Sequence, residues 1–161
     1  MTRFEPLVLT LALALRERGL KLATAESCTG GLIAAACTAV AGSSDWFERG
    51  FVTYSNDAKA ESLCVDAQLI AAHGAVSREV ALAMAEGALA HSKAQLAVAV
   101  TGIAGPGGGS AGKPVGTVWL AIARESEPTQ AELLQLHGDR TAIREQTVQQ
   151  ALQRLVERAS G

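Results

Sequence analysis

Four short segments of the 161-residue chain place polar side chains directly after apolar runs that are typical of strands. These positions matter because ligands of open α/β sheets collect beyond the carboxyl ends of the strands. In the first segment, residues 26–31, the Ser27 hydroxyl stands just before the start of a predicted helix. The hydroxyl could be a nucleophile with backbone N–H groups of the helix as oxyanion donors. Alternatively, Ser27 or Thr29 only caps the helix.

The second segment, residues 53–59, places Tyr54 at a strand end and Lys59 in the first turn of a helix. A lysine that is partly desolvated beside a hydroxyl can lose its proton near neutral pH and act as a base. The alternative is a solvated lysine and a tyrosine that belongs to a helix cap. The turn before this strand, residues 42–45, adds the Ser44 hydroxyl as a candidate for the same site.

The third and fourth segments suit polar or anionic ligands. Thr101 leads into residues 102–112, where six of the 16 glycines fall within 11 residues. The N–H groups of Gly102 and its neighbours could bind an anion or a polar ring, or the segment could be only a flexible loop. Its glycine spacing fits neither the P-loop nor the Rossmann pattern. In the fourth segment Arg140 stands at a helix start, where a phosphate could bind unless the helix is simply capped and the arginine lies on the surface.

Cysteine and metal-ligand spacing exclude two further kinds of site. Cys28, Cys37 and Cys64 form an odd set without C-x-x-C spacing, so we expect neither disulfides nor zinc, and a reducing cytoplasm fits best. Cys28 is interpreted as a packing residue rather than a nucleophile. Since no His, Asp or Glu group has metal-ligand spacing, the sequence predicts no metal and no other cofactor.

The overall composition predicts one globular domain over residues 1–161, because 48% of the residues are apolar and 19% are charged. A formal net charge of −2 supplies no positive excess for a phosphate backbone, so nucleic acid is not an expected partner. The apolar run within residues 1–15 is too short to span a bilayer and has no cleavage site. We therefore expect no membrane segment.

Alternating strand and helix signals predict a three-layer α/β/α sandwich with a mainly parallel mixed sheet of about five strands. The predicted strands are residues 20–25, 51–54, 96–100, 115–123 and 132–136. The predicted helices are residues 7–18, 30–40, 58–63, 67–73, 78–89 and 140–159. Because the last two strands are consecutive, one antiparallel pairing is allowed.

Six ordered motifs resemble the carboxy-terminal domain of the CinA (competence/damage-inducible) family. They are residues 25–31, 42–44, 51–56, 73–77, 101–108 and 113–118, and the resemblance extends over roughly residues 5–158. Family members with this domain are nicotinamide mononucleotide deamidases. The resemblance therefore implies hydrolysis of the carboxamide of nicotinamide mononucleotide to nicotinate mononucleotide and ammonia, and a homodimer or larger homo-oligomer.

The resemblance also implies roles for individual residues. Ser27 is similar to the catalytic serine of the family, with Tyr54 and Lys59 handling its proton. Arg140 and nearby helix N–H groups would suit the 5′-phosphate. Glu26 either meets the cationic pyridinium ring or caps a helix. The full set of implied substrate-site residues is Glu26, Thr29, Gly30, Ser44, Thr101, Gly102 and Arg140.

Several alternatives stay open at this stage. The serine could attack the carboxamide to form an acyl-enzyme, or Ser27 and Lys59 could hold a water that attacks directly. A second interpretation is a binding module without enzymatic activity. The presence of Ser27, Tyr54 and Lys59 together argues against it, because a binding module has no need of that set. A third is a nucleotide-transferring enzyme that uses the glycine-rich loop. That enzyme would need magnesium, for which the sequence offers no carboxylate cluster.

Overall fold

A computed structural model describes residues 2–161 and has one five-stranded sheet. The strands are β1 (Leu22–Glu26), β2 (Phe47–Val52), β3 (Leu96–Gly102), β4 (Thr117–Arg124) and β5 (Gln130–Gln135). Their order across the sheet is β2-β1-β3-β4-β5. β1 pairs in parallel with β2 and β3, whereas β4 is antiparallel to both β3 and β5. The predicted α/β fold with a mixed sheet of about five strands is confirmed.

Six α-helices cover the two faces of this sheet. They are α1 (Glu5–Arg18), α2 (Leu32–Thr38), α3 (Asn56–Leu63), α4 (Ala67–His73), α5 (Arg78–Ala90) and α6 (Arg140–Ser160). Side chains of α1, α2 and α6 share one apolar core with the sheet, and those of α3, α4 and α5 share the other. Within the described part of the chain, no helix is both long enough and apolar enough to cross a bilayer.

Strand residues alternate between large and small apolar side chains. The face toward α1, α2 and α6 carries leucine, valine and isoleucine, whereas the face toward α5 is lined by alanine. The buried alanines are Ala23, Ala25, Ala97, Ala99, Ala121 and Ala123. Since successive strand side chains point to opposite faces, this alternation determines which helices pack on each face. The alanine face leaves room for the backbone of α5 to approach the sheet closely.

Several element boundaries differ from the sequence prediction by a few residues, and two of these differences affect the site. β2 begins at Phe47 rather than at residue 51, because it is an edge strand whose middle residues face solvent and give no apolar signal. α2 begins at Leu32 rather than at residue 30, because Gly30 and Gly31 have φ values of 59° and 104°. These left-handed conformations interrupt a helix and are accessible to glycine without steric cost. Since β2 ends at Val52, Tyr54 lies beyond its strand. Since α2 begins only at Leu32, Ser27 lies in a turn between β1 and α2.

The end of α3 closes directly onto α5 at Gly87. A Cβ atom at this position would lie 2.2 Å from the backbone oxygen of Leu63, which cannot move independently of its helix. The absence of a side chain at Gly87 is therefore what lets α3, the helix that carries Lys59, pack against α5.

We expect Gly87→Ala to lower the free energy of unfolding by about 1–3 kcal/mol in urea denaturation, the usual cost of overpacking. Alanine gains about 1 kcal/mol of helix propensity over glycine, but the backbone clash outweighs this gain. Gly107→Ala is the control, because a Cβ atom there meets nothing within 4 Å. Equal stability of the two variants would contradict the close packing described for Gly87.

Candidate active site

The carboxyl ends of β1, β2 and β3 meet at one edge of the sheet and open into a cleft of about 280 Å³. Six of the residues singled out in the sequence line it: Ser27, Tyr54, Lys59, Thr101, Gly102 and Arg140. The topology explains this convergence, since parallel neighbouring strands end on the same side of a sheet. Residues from the loops after three strands and from the start of α6 therefore share one small volume.

Ser27 and Lys59 are in direct contact inside this cleft. The Lys59 Nζ atom lies 3.0 Å from Ser27 Oγ, 3.0 Å from the Thr53 carbonyl oxygen and 3.1 Å from the Tyr54 carbonyl oxygen. Lys59 is 1% exposed and Ser27 is 8% exposed. The sequence reading of Lys59 as a solvated surface residue is therefore wrong, and the desolvated lysine beside a hydroxyl is what the structure contains.

Burial lowers the pKa of Lys59 from its ordinary value of 10.5, because a desolvated ammonium loses its hydration; the nearby Cys28 opposes this with a smaller effect. Among residues 2–161 no carboxylate forms a salt bridge with Nζ. A neutral amine has two N–H groups and one lone pair. Nζ donates to both carbonyls and to Ser27 Oγ in the structure, and only in the neutral form of the amine would its lone pair be free to accept the Ser27 hydroxyl proton.

The local sequence explains why Lys59 enters the cleft. Ser55 caps α3, its Oγ accepting from the Ala58 N–H at 3.0 Å, and this fixes the start of the helix just after β2. Lys59 and Leu63 are then four residues apart on the inward face and are the buried residues of α3. One helical face thus holds an apolar anchor and the lysine together.

Tyr54 contributes to the site through two different atoms. Its carbonyl oxygen accepts from Lys59, whereas its hydroxyl oxygen accepts from the Arg140 guanidinium at 3.2 Å, and the residue is 61% exposed. The contact between Tyr54 and Lys59 therefore runs through the main chain, not the ring. Arg140 also donates to the Gly105 carbonyl at 2.8 Å, so its guanidinium joins the Tyr54 side of the cleft to the glycine-rich loop.

Glu26 and Thr29 lie below the turn that carries Ser27 and do not line the cleft. The Glu26 carboxylate is completely buried; it accepts from the Thr29 hydroxyl at 2.5 Å and from the Ile33 and Ala34 N–H groups at 2.8 and 3.0 Å. The Leu32 N–H donates to the Thr29 carbonyl. The first N–H groups of α2 are thus occupied, which corrects the expectation that they face a ligand beside Ser27. Glu26 acts as a helix cap in this geometry.

Ser44 and Gly30 are also outside the cleft. Ser44 is exposed in a short 3-10 helix, Ser43–Asp45, that precedes β2. It therefore lies at the amino end of the parallel strands, and Ser27 follows their carboxyl end. Within one chain the structure does not bring these two hydroxyls together. Gly30 supports the Ser27 turn through its positive φ instead.

The glycine-rich loop forms a further wall of the cleft. Ile103, Ala104 and the glycines at 102, 105, 107 and 108 line it, facing Ala75 and Val76 from the connection between α4 and α5. Two hydrogen bonds join these walls: the Thr101 hydroxyl donates to the Ala75 carbonyl at 2.9 Å, and Lys113 Nζ donates to the His73 carbonyl at 3.0 Å. The hydroxyl of Thr101 is therefore partly committed to the protein.

Sequence reasoning missed Asn56 and Arg144. Asn56, at the start of α3, lines the cleft. Arg144 donates from Nε to the Cys28 carbonyl and from an Nη atom to the Thr29 carbonyl, both at 3.2 Å. A signal existed for Arg144, since it follows Arg140 by four residues and so shares its face of the last helix.

The cysteines and acidic residues define no further centre in the described chain. Over residues 2–161, no group of three or more His, Cys, Asp or Glu residues is placed to hold a metal ion. All three cysteines are unpaired. Burial is the main cause that raises the pKa of both Cys28 and Cys37 to about 12, so neither thiol is an activated nucleophile near neutral pH.

The fold agrees with the comparisons to known proteins. The family described as the CinA C-terminal domain matches residues 5–159, and the chain therefore belongs to that family. The nicotinamide-nucleotide amidohydrolase PncC of Escherichia coli K12 is 54% identical over 144 residues, which cover 88% of this chain and 86% of PncC. A CinA-like protein of Citrifermentans bemidjiense is 58% identical over 142 residues, which cover 88% of this chain and 34% of the relative.

The chain therefore spans about a third of the longer CinA-like relatives and most of PncC.

Solved structures show the same fold. The competence/damage inducible protein CihA of Agrobacterium tumefaciens has a TM-score of 0.93 and 50% identity, covering 96% of this chain and 94% of CihA. A CinA superfamily protein of Klebsiella pneumoniae has a TM-score of 0.92 and 39% identity, covering 97% of both chains.

The lowered pKa of Lys59 makes stability depend on pH in a defined window. At a pH between the lowered pKa of Lys59 in the folded protein and its ordinary value of 10.5, Lys59 is protonated in the unfolded chain but not in the folded one. The free energy of unfolding therefore rises with pH in this window. We expect the wild type to gain stability relative to Lys59→Met as pH rises through this window toward 10.5.

Urea denaturation of both proteins between pH 7 and about 10.5, the ordinary lysine value, measures this gain. Lys93→Met, which removes an exposed lysine, is the matched control. Parallel stability curves for the wild type and Lys59→Met would contradict a lowered pKa for Lys59.

Proposed function

We propose that this chain is an amidase that hydrolyses the carboxamide of nicotinamide mononucleotide, giving nicotinate mononucleotide and ammonia. The observation that carries the proposal is the 3.0 Å contact between Lys59 Nζ and Ser27 Oγ in a cleft. The similarity to PncC, named a nicotinamide-nucleotide amidohydrolase, supports the substrate. A purely binding role has no such support, because a binding module does not need a buried lysine against a serine.

In the proposed reaction, Ser27 attacks the carboxamide carbon while neutral Lys59 accepts the hydroxyl proton. The Thr53 and Tyr54 carbonyls then stabilise the ammonium form of Lys59, because each accepts one of its N–H groups. The ammonium returns the proton to the departing nitrogen as the carbon–nitrogen bond breaks, leaving an acyl-enzyme. A water activated by the same lysine adds to the acyl carbon and releases the carboxylate product and Ser27.

The proposal assigns the 5′-phosphate to Arg140. Its guanidinium lines the cleft and, in the described chain, has no carboxylate partner, so its charge is not neutralised. Guanidinium groups bind phosphate through paired, charge-assisted hydrogen bonds. The helix start offers less than expected, because Asp139 caps α6 and accepts from the Ala142 N–H at 2.8 Å. We therefore expect phosphate recognition to depend mainly on the Arg140 side chain.

Three further parts of the proposal concern the setting of the enzyme. Residues 1–161 act as one domain, no metal or organic cofactor is needed, and the three unpaired cysteines support a reducing cytoplasm. The protein works as a homodimer or larger homo-oligomer. The position of Ser44 outside the cleft of its own chain supports this assembly, because a substrate role for Ser44 then requires the cleft of a neighbouring chain.

Ammonia release from nicotinamide mononucleotide by the purified protein, without added metal, tests the proposal. Ser27→Ala and Lys59→Ala should each lose activity, the lysine variant by roughly 10²- to 10⁴-fold, the usual contribution of a general base. Circular dichroism establishes that both variants are folded. A wild type that is folded yet releases no ammonia would refute the proposed activity, and a fully active Ser27→Ala would refute a role for the Ser27 hydroxyl both as nucleophile and as a group that holds the attacking water.

The phosphate assignment has its own test. Arg140→Gln should raise KM for nicotinamide mononucleotide by about 10- to 100-fold, since a hydrogen bond to a charged group contributes about 1.5–3 kcal/mol. The same variant should barely change KM for nicotinamide riboside, which has no phosphate. An equal change of KM for both substrates would contradict phosphate binding by Arg140 and would mean that Arg140 only maintains the shape of the cleft.

A further inference from the structure

The turn that carries Ser27 receives little support from regular secondary structure. The sheet ends here with the Ser27 N–H donating to the Val100 carbonyl at 3.1 Å, and α2 begins only at Leu32. Gly30 and Gly31 between them have positive φ values. Two adjacent glycines have many accessible backbone conformations, so the sequence of the turn does not by itself fix the Ser27 hydroxyl against Lys59.

Side chains from two directions hold this turn. From inside the fold, the buried Glu26 carboxylate holds the Thr29 hydroxyl and the first N–H groups of α2. From α6, the Arg144 guanidinium holds the carbonyls, with Nε donating to Cys28 and Nη donating to Thr29, both at 3.2 Å. The donors and the acceptors of the turn are thus restrained by separate groups.

We propose that Arg144 is a positioning residue for the nucleophile, which keeps the Ser27 hydroxyl in line with Lys59. The inference rests on the proposed amidase function and adds a residue to it. Arg144 does not line the cleft and so acts through the turn rather than on substrate. Two consecutive carbonyls match a planar guanidinium, whose neighbouring N–H groups point the same way, whereas a lysine offers a single charged nitrogen.

Arg144 extends from a part of α6 that is firmly packed against the rest of the fold. Its neighbours Ile143, Thr147 and Val148 are buried, which fixes the helix against the sheet. Residues 2–161 offer the Arg144 side chain no salt-bridge partner that would draw it away from the turn. Gly30 lies next to this guanidinium, since a Cβ atom built there would be 3.5 Å from an Arg144 Nη atom, an ordinary van der Waals contact.

The experiment compares Arg144→Ala with the wild type in two independent measurements. Steady-state ammonia release should show kcat lowered by about 100-fold, the scale of a 1 Å misplacement, with KM for nicotinamide mononucleotide nearly unchanged. Hydrogen–deuterium exchange should be faster in residues 28–31 of the variant and unchanged in β3. Added guanidinium should restore part of kcat, and Arg144→Lys should not match the wild type, because lysine cannot hold both carbonyls.

Arg154→Ala is the matched control, because this arginine also lies on α6 but pairs with Glu132 and Glu157 far from the turn. It should leave both measurements at wild-type values. Unchanged exchange in residues 28–31, or a kcat for Arg144→Ala within about twofold of wild type, would overturn the inference. If the wild type itself releases no ammonia, the proposed function fails, and the exchange measurement alone then decides whether Arg144 holds the turn.

Discussion

A buried lysine in contact with a serine hydroxyl is the interaction on which the rest of the structure depends. Burying Lys59 is costly, because a charged amine loses its hydration and no carboxylate in the described chain compensates for it. The fold reduces this cost by placing two backbone carbonyls against Nζ, and the desolvation that remains lowers the pKa of Lys59. The same arrangement holds Nζ 3.0 Å from the Ser27 hydroxyl oxygen.

Keeping these two side chains together requires pieces that are distant in sequence. Ser27 follows β1 and Lys59 belongs to the helix after β2, so the parallel pairing of β1 with β2 sets their approach. Gly87 lets α3 pack onto α5, and α6 reaches across the sheet to place Arg140 and Arg144 at the cleft and the turn. The site thus draws on both helical layers, and loosening either layer separates its parts.

The sequence alone predicts much of this arrangement. Apolar runs such as residues 96–100 identify the central strands, and the polar residues after them identify Ser27, Lys59, Thr101 and Arg140 as cleft residues. The apolar pattern places the start of edge strand β2 too late, because Arg49 and Gly50 face solvent and Glu48 is charged, so that the pattern is interrupted. The role of Glu26 could not be derived either, since a carboxylate after a strand can face a ligand or cap the next helix. Only the three-dimensional structure shows that its oxygens are already occupied.

The alanine face of the sheet acts as a spacer for the cleft. Ala75 and Val76 form one wall of the cleft and lead directly through Ser77 into α5, so this wall moves with that helix. The depth at which α5 rests is set by side chains such as Ala97 and Ala121, which never meet a ligand. Exchanging one of them for valine would shift the helix outward and widen the opening. The range of molecules that the cleft admits is therefore encoded partly in the smallest residues of the core, and a search for altered selectivity can begin there.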